Sequence, residues 1–160
     1  ERDPGEEASV DRNVLVFRLA SEWFAIRLHF FMEVSSSRRI HSVPFRTNDI
    51  FLGLVNVNGE LIPCFSLHRL IGLPESPDDD DANSKRRMLV ISRENETFAF
   101  HVDEALNAQR VMADAVSDVP STVAASDASM TDVVFASGKL NIACLIEEKL
   151  MNAFNKSFEE

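Results

Sequence analysis

The clustering of apolar residues divides the chain into short strand-like pieces separated by polar turns. In "VLVFRLASEWFAIRL", residues 14–28, two runs rich in β-branched and aromatic side chains flank Ala20-Ser21-Glu22, the pattern of a hairpin. "HFFMEVSSS" has the clustered bulk of a short helix or bend ended by its serines, and Val43-Pro44 leads on in extended form. "FLGLVNVNGELIPCF", residues 51–65, joins two apolar stretches through Asn58-Gly59, and because both residues tolerate φ > 0 this pair is a strong hairpin signal. Ser66 then stands where it can cap a short helix, with Leu67, Leu70 and Ile71 on one side and Gly72 and Pro74 as the stop. "MLVISRENETFAFHVDEAL" predicts a second hairpin and "VVFASGKLNIACL" a third turn-linked pair. Ile146, Leu150 and Phe154 recur at the spacing of a terminal helix. Residues 1–13, polar and nearly free of large apolar side chains, predict a disordered leader, and "PESPDDDDANS" predicts a solvated acidic loop. Residues 114–132, small and polar with Pro120, carry no clear element.

The chain also repeats itself. Residues 14–28 overlay residues 88–102 without a gap: Leu15 falls on Leu89, Val16 on Val90, Glu22 on Glu96, Phe24 on Phe98 and Ala25 on Ala99. The later hairpins overlay with Gly59 on Gly138 and Leu61 on Leu140, and the helix from Leu67 falls on the helix from Ile146. Each half reads as hairpin, connection, hairpin, helix. Four or five short strands per half suit a small barrel, and two barrels could close their edges against each other. Strands never alternate with long helices, so a doubly wound α/β sheet is not expected; the fold class is mainly β.

At 160 residues and 45% apolar content, the chain suffices for one globular unit or two small lobes sharing a core. A formal charge of −10, from 26 acidic against 16 basic residues, repels phosphate-rich surfaces, so nucleic acid is not an expected partner. The two cysteines, Cys64 and Cys144, lie far apart inside apolar runs, which fits reduced thiols in a cytoplasmic setting. No apolar stretch approaches the roughly 20 residues that span a bilayer, and the acidic start is unlike a signal peptide, so no membrane insertion is expected. The first residue is not Met, which leaves open a piece of a longer chain.

Catalytic signatures are missing. His29, His41, His68 and His101 are scattered, without metal-ligand spacing to Cys, Asp or Glu, and structural or surface roles are expected of them. With five glycines in all, the sequence has no phosphate-binding loop, no nucleophile elbow and no paired-cysteine motif. The four aspartates at 78–81 lack the alternating ligands and turn glycine of a calcium loop. Cys64 sits in an apolar strand with nothing nearby to lower its pKa. Twelve phenylalanines without a tyrosine fall mostly in strand-like runs, where they read as core. No enzymatic activity, cofactor or metal is expected.

"FLGLVNVNGELIPCFSLHRLIGL" resembles the signature of the CheW-like domain: a strand with Gly, then Asn-x-Arg-Gly, apolar-Pro and Asp-Leu. "VLVFRLASEWFAIRLHFFMEV" is similar to that family's opening hairpin and Val-x-Glu-Ile element, and "MLVISRENETFAFHVDEAL" to its central hairpin. The resemblance covers residues 14–154. It implies two pseudo-repeated five-stranded SH3-like β-barrel subdomains, intertwined as a single domain over residues 14–157, with short helices including a C-terminal one. It further implies a non-enzymatic adaptor, cytoplasmic and associated with membrane-bound receptor arrays. Such an adaptor couples the cytoplasmic tip of a methyl-accepting chemoreceptor to the regulatory domain of a CheA-type histidine kinase. The receptor groove would include Phe31, Glu33, Gly53, Asn56, Asn58 and Gly59. Two alternatives stay open: a CheW-like domain of a larger protein, either a kinase regulatory domain or a CheV-type adaptor, and an unrelated small β-barrel enzyme or ligand-binding protein.

Several positions depart from the family pattern. Asn58 stands in the usual Arg position, which removes an always-charged fork that an amide cannot replace. Ser66 stands in the usual Asp position, with Leu145 as its second-half counterpart, and Asp132 stands where Gly is common. These departures point to a divergent coupling protein of an accessory chemosensory pathway. A bulky residue at Gly53 is expected to weaken receptor binding while stability stays within about 1 to 2 kcal/mol.

Overall fold

The computed structural model describes residues 11–28, 31–36, 38–44, 48–75, 85–118 and 130–159. In chain order the elements are β1 (Arg12–Leu19), β2 (Glu22–Arg27), β3 (Phe31–Ser36), β4 (Phe51–Val57), β5 (Glu60–Phe65) and α1 (Leu67–Ile71). The second half supplies β6 (Arg87–Arg93), β7 (Glu96–Val102), β8 (Glu104–Val111), a 3-10 turn at Ala113–Ala115, β9 (Val116–Asp118), β10 (Thr131–Ser137), β11 (Leu140–Leu145) and α2 (Glu147–Glu159). The strands form a six-stranded sheet, ordered β8-β1-β2-β11-β10-β9, and a five-stranded sheet, ordered β3-β6-β7-β5-β4.

Each half gives its opening hairpin to the other half's sheet. The β1–β2 hairpin joins β11 in parallel, with Phe24 opposite Ala143, and the β6–β7 hairpin joins β5 in parallel, with Phe65 opposite Phe100. Parallel neighbours need a long connection, and here it runs over residues 66–95 between β5 and β7 and over residues 28–139 between β2 and β11. Neither half can complete its sheet alone.

Alternation along the strands sorts side chains between three cores. On β1, Val14 and Val16 pack with Ala25, Val133 and Phe135 inside the six-stranded sheet, while Leu15, Phe17 and Leu19 point into a core shared by both sheets. On β7, Ala99 joins Val55, Ile62, Cys64 and Val90 within the five-stranded sheet, while Phe98 and Phe100 enter the shared core. Phenylalanines dominate that shared core, as their strand positions predict: Phe154 of α2 stacks on Phe65 with ring centroids 4.5 Å apart, and Phe17 meets Phe100 at 5.8 Å.

The caps expected around α1 are present. Ser66 Oγ accepts from the Arg69 N–H, and Gly72, at φ +95°, closes the helix on the His68 carbonyl.

The structure departs from the sequence reading in four places. β1 begins at Arg12, inside the expected leader, because the Arg12 side chain is buried and grips both carboxylate oxygens of Asp132 at 3.1 and 3.2 Å. Within "HFFMEVSSS", Phe31–Ser36 is a strand rather than a helix or bend, since Glu33, Val34 and Ser35 find ladder partners in Val90, Leu89 and Met88; the other residues of that stretch lie outside the described ones. Val116–Asp118, in the stretch left without an element, pairs with β10.

Finally, the later hairpins overlay one residue away from the expected register. Val57 pairs with Glu60 and Ser137 with Leu140, so Asn58 corresponds to Gly138, Cys64 to Cys144 and Ser66 to Ile146 rather than Leu145. The same correspondence appears in the backbone: Ser66 N–H donates to the Ile50 carbonyl and Ile146 N–H to the Met130 carbonyl, both at 2.8 Å. Matching glycine to glycine misled because Asn58 itself takes the left-handed position, φ +54°, that Gly138 takes at φ +60°. The leader before residue 11 and the aspartates at 78–81 lie outside the described residues.

Candidate functional site

β3 and β4 are the opposite edges of the five-stranded sheet, yet their side chains meet. Asn58 Nδ2, at the tip of the β4–β5 turn, donates to Glu33 Oε1 of β3 at 3.0 Å. Arg38, just beyond β3, donates through Nη1 to the Asn56 carbonyl at 3.4 Å and through Nε to Ser35 Oγ at 3.5 Å. His41 then bridges to Leu54 through two backbone hydrogen bonds of 2.8 Å. Strand twist bends the sheet until its edges converge, and the segment between them covers the β4 edge that would otherwise stay unpaired.

The turn itself is built from its sequence. Asn58 and Gly59 both take positive φ, +54° and +86°, as a type I′ turn requires, and Asn56 Oδ1 accepts the Gly59 N–H at 2.9 Å. Glu33, Asn56, Asn58 and Gly59 thus gather at one end of the sheet, with Asn56, Asn58 and Gly59 exposed. Leu61, opposite Asn56 in the ladder, is 58% exposed, so an apolar side chain stands beside these polar groups. Phe31 lies in β3 opposite Ile91.

Gly53 differs from the others. It is buried at φ +142°, and a Cβ there would come within 2.4 Å of the His41 carbonyl oxygen. Its hydrogen atom lets the His41–Leu54 bridge close. The expectation that a bulky residue here spares stability is therefore corrected.

The electrostatics follow from the Asn58 substitution. The Asn58 amide donates to Glu33 without bringing a positive charge to it, as an arginine in the same place would.

A second polar constellation has no sequence signal, because its members are 35 residues apart. His68 Nε2 of α1 and Asp103 Oδ2, at the β7–β8 corner, are buried and 2.8 Å apart. The same oxygen accepts the Ala20 N–H at 2.7 Å, and the Asp103 N–H donates to the Arg18 carbonyl. Burial pushes the Asp103 carboxyl up. The His68 and Ala20 hydrogen bonds, with the charges of His68 and Arg18, outweigh it and hold the group below its ordinary value. This network ties α1 and the β1–β2 turn to the strand crossing between the sheets. His68 thus has the structural role expected of it.

Neither thiol is poised to react: burial pushes Cys64 and Cys144 up to about 12. Among the described residues no group of three or more His, Cys, Asp or Glu side chains could hold a metal ion.

The family model for the CheW-like domain matches residues 13–147, from β1 to the first residue of α2. The chain belongs to the CheW-like domain family. Both sheets fall inside the match, as does the edge carrying Glu33 and Asn58. The CheW-like fold is found in the crystal structure of the scaffolding protein TtCheW from Thermoanaerobacter tengcongensis. That structure superposes with a TM-score of 0.72 at 18% identity, over 86% of this chain and 90% of that one. No curated protein matches the chain. CheW-like proteins are non-catalytic scaffolds and adaptors of chemotaxis signal transduction. Among the described residues of this member, no helix is long and apolar enough to cross a membrane.

Proposed function

We propose that this CheW-like chain is a cytoplasmic adaptor that couples the tip of a methyl-accepting chemoreceptor to the regulatory domain of a CheA-type histidine kinase. The observation that carries this reading is the family match across both sheets. Each sheet, in this reading, is an SH3-like barrel. Two side-chain links support that, Glu33 to Asn58 across one sheet and, in the other, Ser137 Oγ of β10 to Gln109 Oε1 of the β8 edge at 3.2 Å.

The receptor's helical tip lays apolar side chains beside Phe31 and Leu61, while Glu33, Asn56, Asn58 and Gly59 set its register at the rim. Gly53 acts from beneath, by letting the chain close against β4. With no arginine at position 58 to meet Glu33, the matching receptor carries a cation or a hydrogen-bond donor at that point, which separates it from receptors fitted to the arginine-bearing relatives.

Asn58→Asp sets a second carboxylate against Glu33. Receptor binding is expected to weaken about tenfold, while unfolding in urea shifts by no more than about 1 kcal/mol, because the pair is exposed. Asn58→Arg neutralises Glu33 and is expected to weaken binding to the native receptor as well. Titration of each variant against a receptor-tip fragment, beside urea curves, checks both. Parallel loss of folding and binding would mean that the edge is core and not interface.

A further inference from the structure

The Glu33–Asn58 edge holds a cation as well as a carboxylate. Arg38 follows β3 and reaches the β4–β5 hairpin, where its Nη1 donates to the Asn56 carbonyl at 3.4 Å while its Nε donates to Ser35 Oγ at 3.5 Å. Glu33 reaches the same hairpin from β3 itself, accepting from Asn58 Nδ2 at 3.0 Å. One turn is thus held on one side by a carboxylate and on the other by a guanidinium. Neither Glu33 nor Arg38 enters an ion pair among the described residues.

A purely structural role, closing the sheet, does not account for two charges here. In the other sheet Ala108 pairs with Leu15 as Val34 pairs with Leu89, which sets Asn107 in the place of Glu33, and Gly138 stands in the place of Asn58. Neither counterpart is charged, and the neutral Ser137–Gln109 hydrogen bond links β10 to β8 there. Both acceptors of Arg38 are neutral as well, and the remaining N–H donors of its guanidinium meet no acceptor among the described residues. The side chain is half-buried and anchored at two atoms, whereas Arg39, next in the chain, is exposed. A planar donor fork held in one place is pre-organised for a carboxylate.

We infer that Arg38 is a specificity-determining contact of this edge: its fork takes a carboxylate of the receptor tip, while Glu33 takes a cation or donor beside it. The inference rests on the receptor reading of the edge and names the charges that reading requires of the partner. Opposite charges at one turn also fix the direction in which a helix lies across it. Turned end for end, the same helix would set its carboxylate against Glu33 and its cation against Arg38.

The full chain and its Arg38 variants are titrated with the receptor-tip fragment at about 50 mM and about 300 mM NaCl. Arg38→Glu is expected to bind about tenfold or more weakly, Arg38→Met about fivefold, and Arg38→Lys about twofold, because lysine keeps the charge and loses the fork. Added salt weakens the wild type several-fold more than it weakens Arg38→Met. Urea midpoints of Arg38→Met and Arg38→Lys stay near that of the wild type, which keeps binding separate from folding. In a second arm, single carboxylates of the fragment are reversed to lysine, and one of these fragments binds Arg38→Glu more tightly than it binds the wild type. Binding by Arg38→Glu equal to the wild type overturns the inference and leaves the receptor reading standing. Equal losses in Arg38→Lys and Arg38→Met, with no reversed fragment restoring Arg38→Glu, overturn it too, since that pattern marks a mere prop for the Asn56 carbonyl. If the wild-type chain does not bind the fragment, the receptor reading fails and the inference fails with it.

Discussion

Gly53→Val lowers the unfolding free energy by about 3 kcal/mol or more and the melting temperature by roughly 10 °C. The reason is local and severe. The first carbon of any side chain at this position meets the His41 carbonyl oxygen at 2.4 Å and its carbon at 2.9 Å, both backbone atoms that no rotamer change can move. The backbone stands at φ +142°, where L side chains are strained even in open space. Relief requires the His41–Leu54 bridge to open, which unpairs the β4 edge and removes the support behind the Asn58 turn. Gly53→Ala already carries the clash and is expected to lose most of the same stability. Receptor binding then falls with folding, the opposite of the Asn58→Asp pattern. Urea and thermal unfolding of the two glycine variants beside Asn58→Asp separate the structural position from the contact position.

Asp103→Ala is expected to cost about 3 to 5 kcal/mol at pH 7, the scale of breaking a buried, hydrogen-bonded pair from one side. It removes the acceptor of both the buried His68 Nε2 and the partly buried Ala20 N–H. Asp103→Asn keeps the shape and part of the hydrogen bonding, so its loss is smaller, about 1 to 2 kcal/mol. The pH dependence has a fixed sign. The folded-state pKa of Asp103 lies below the unfolded value, so its carboxylate contributes stability above roughly pH 4 and loses that contribution as pH falls through the folded value. The gap between wild type and Asp103→Asn is therefore widest at neutral pH and narrows in acid. Urea midpoints from pH 7 down to pH 3 measure it; a gap that stays constant would mean that the carboxylate charge plays no part.

Much of this molecule was legible in its residues because the signals were local. Asn58-Gly59 marked its turn, Ser66 and Gly72 bounded α1, and identities seventy-four positions apart, such as Phe24 with Phe98, exposed the repeat. The exchange of opening hairpins was not legible, since parallel pairing of β2 with β11 joins segments with no shared local pattern. β3 was misread for a related reason: its strand character comes from β6, not from its own alternation. The start of β1 hid behind charged residues because Arg12 is buried only by virtue of Asp132, 120 positions away. In the candidate site, the grouping of Glu33 with the Asn58 turn came from family resemblance, and the structure adds the hydrogen bond between them. Gly53 could be named but not assigned, because its role depends on where the His41 carbonyl lies.

The most direct test of the adaptor reading is binding of the purified chain to the receptor tip and the kinase regulatory domain encoded beside it. Co-elution with each partner singly, and with both together, is the predicted result, with Asn58→Asp selectively weakening the receptor arm. Failure of the folded chain to bind either partner would contradict the account.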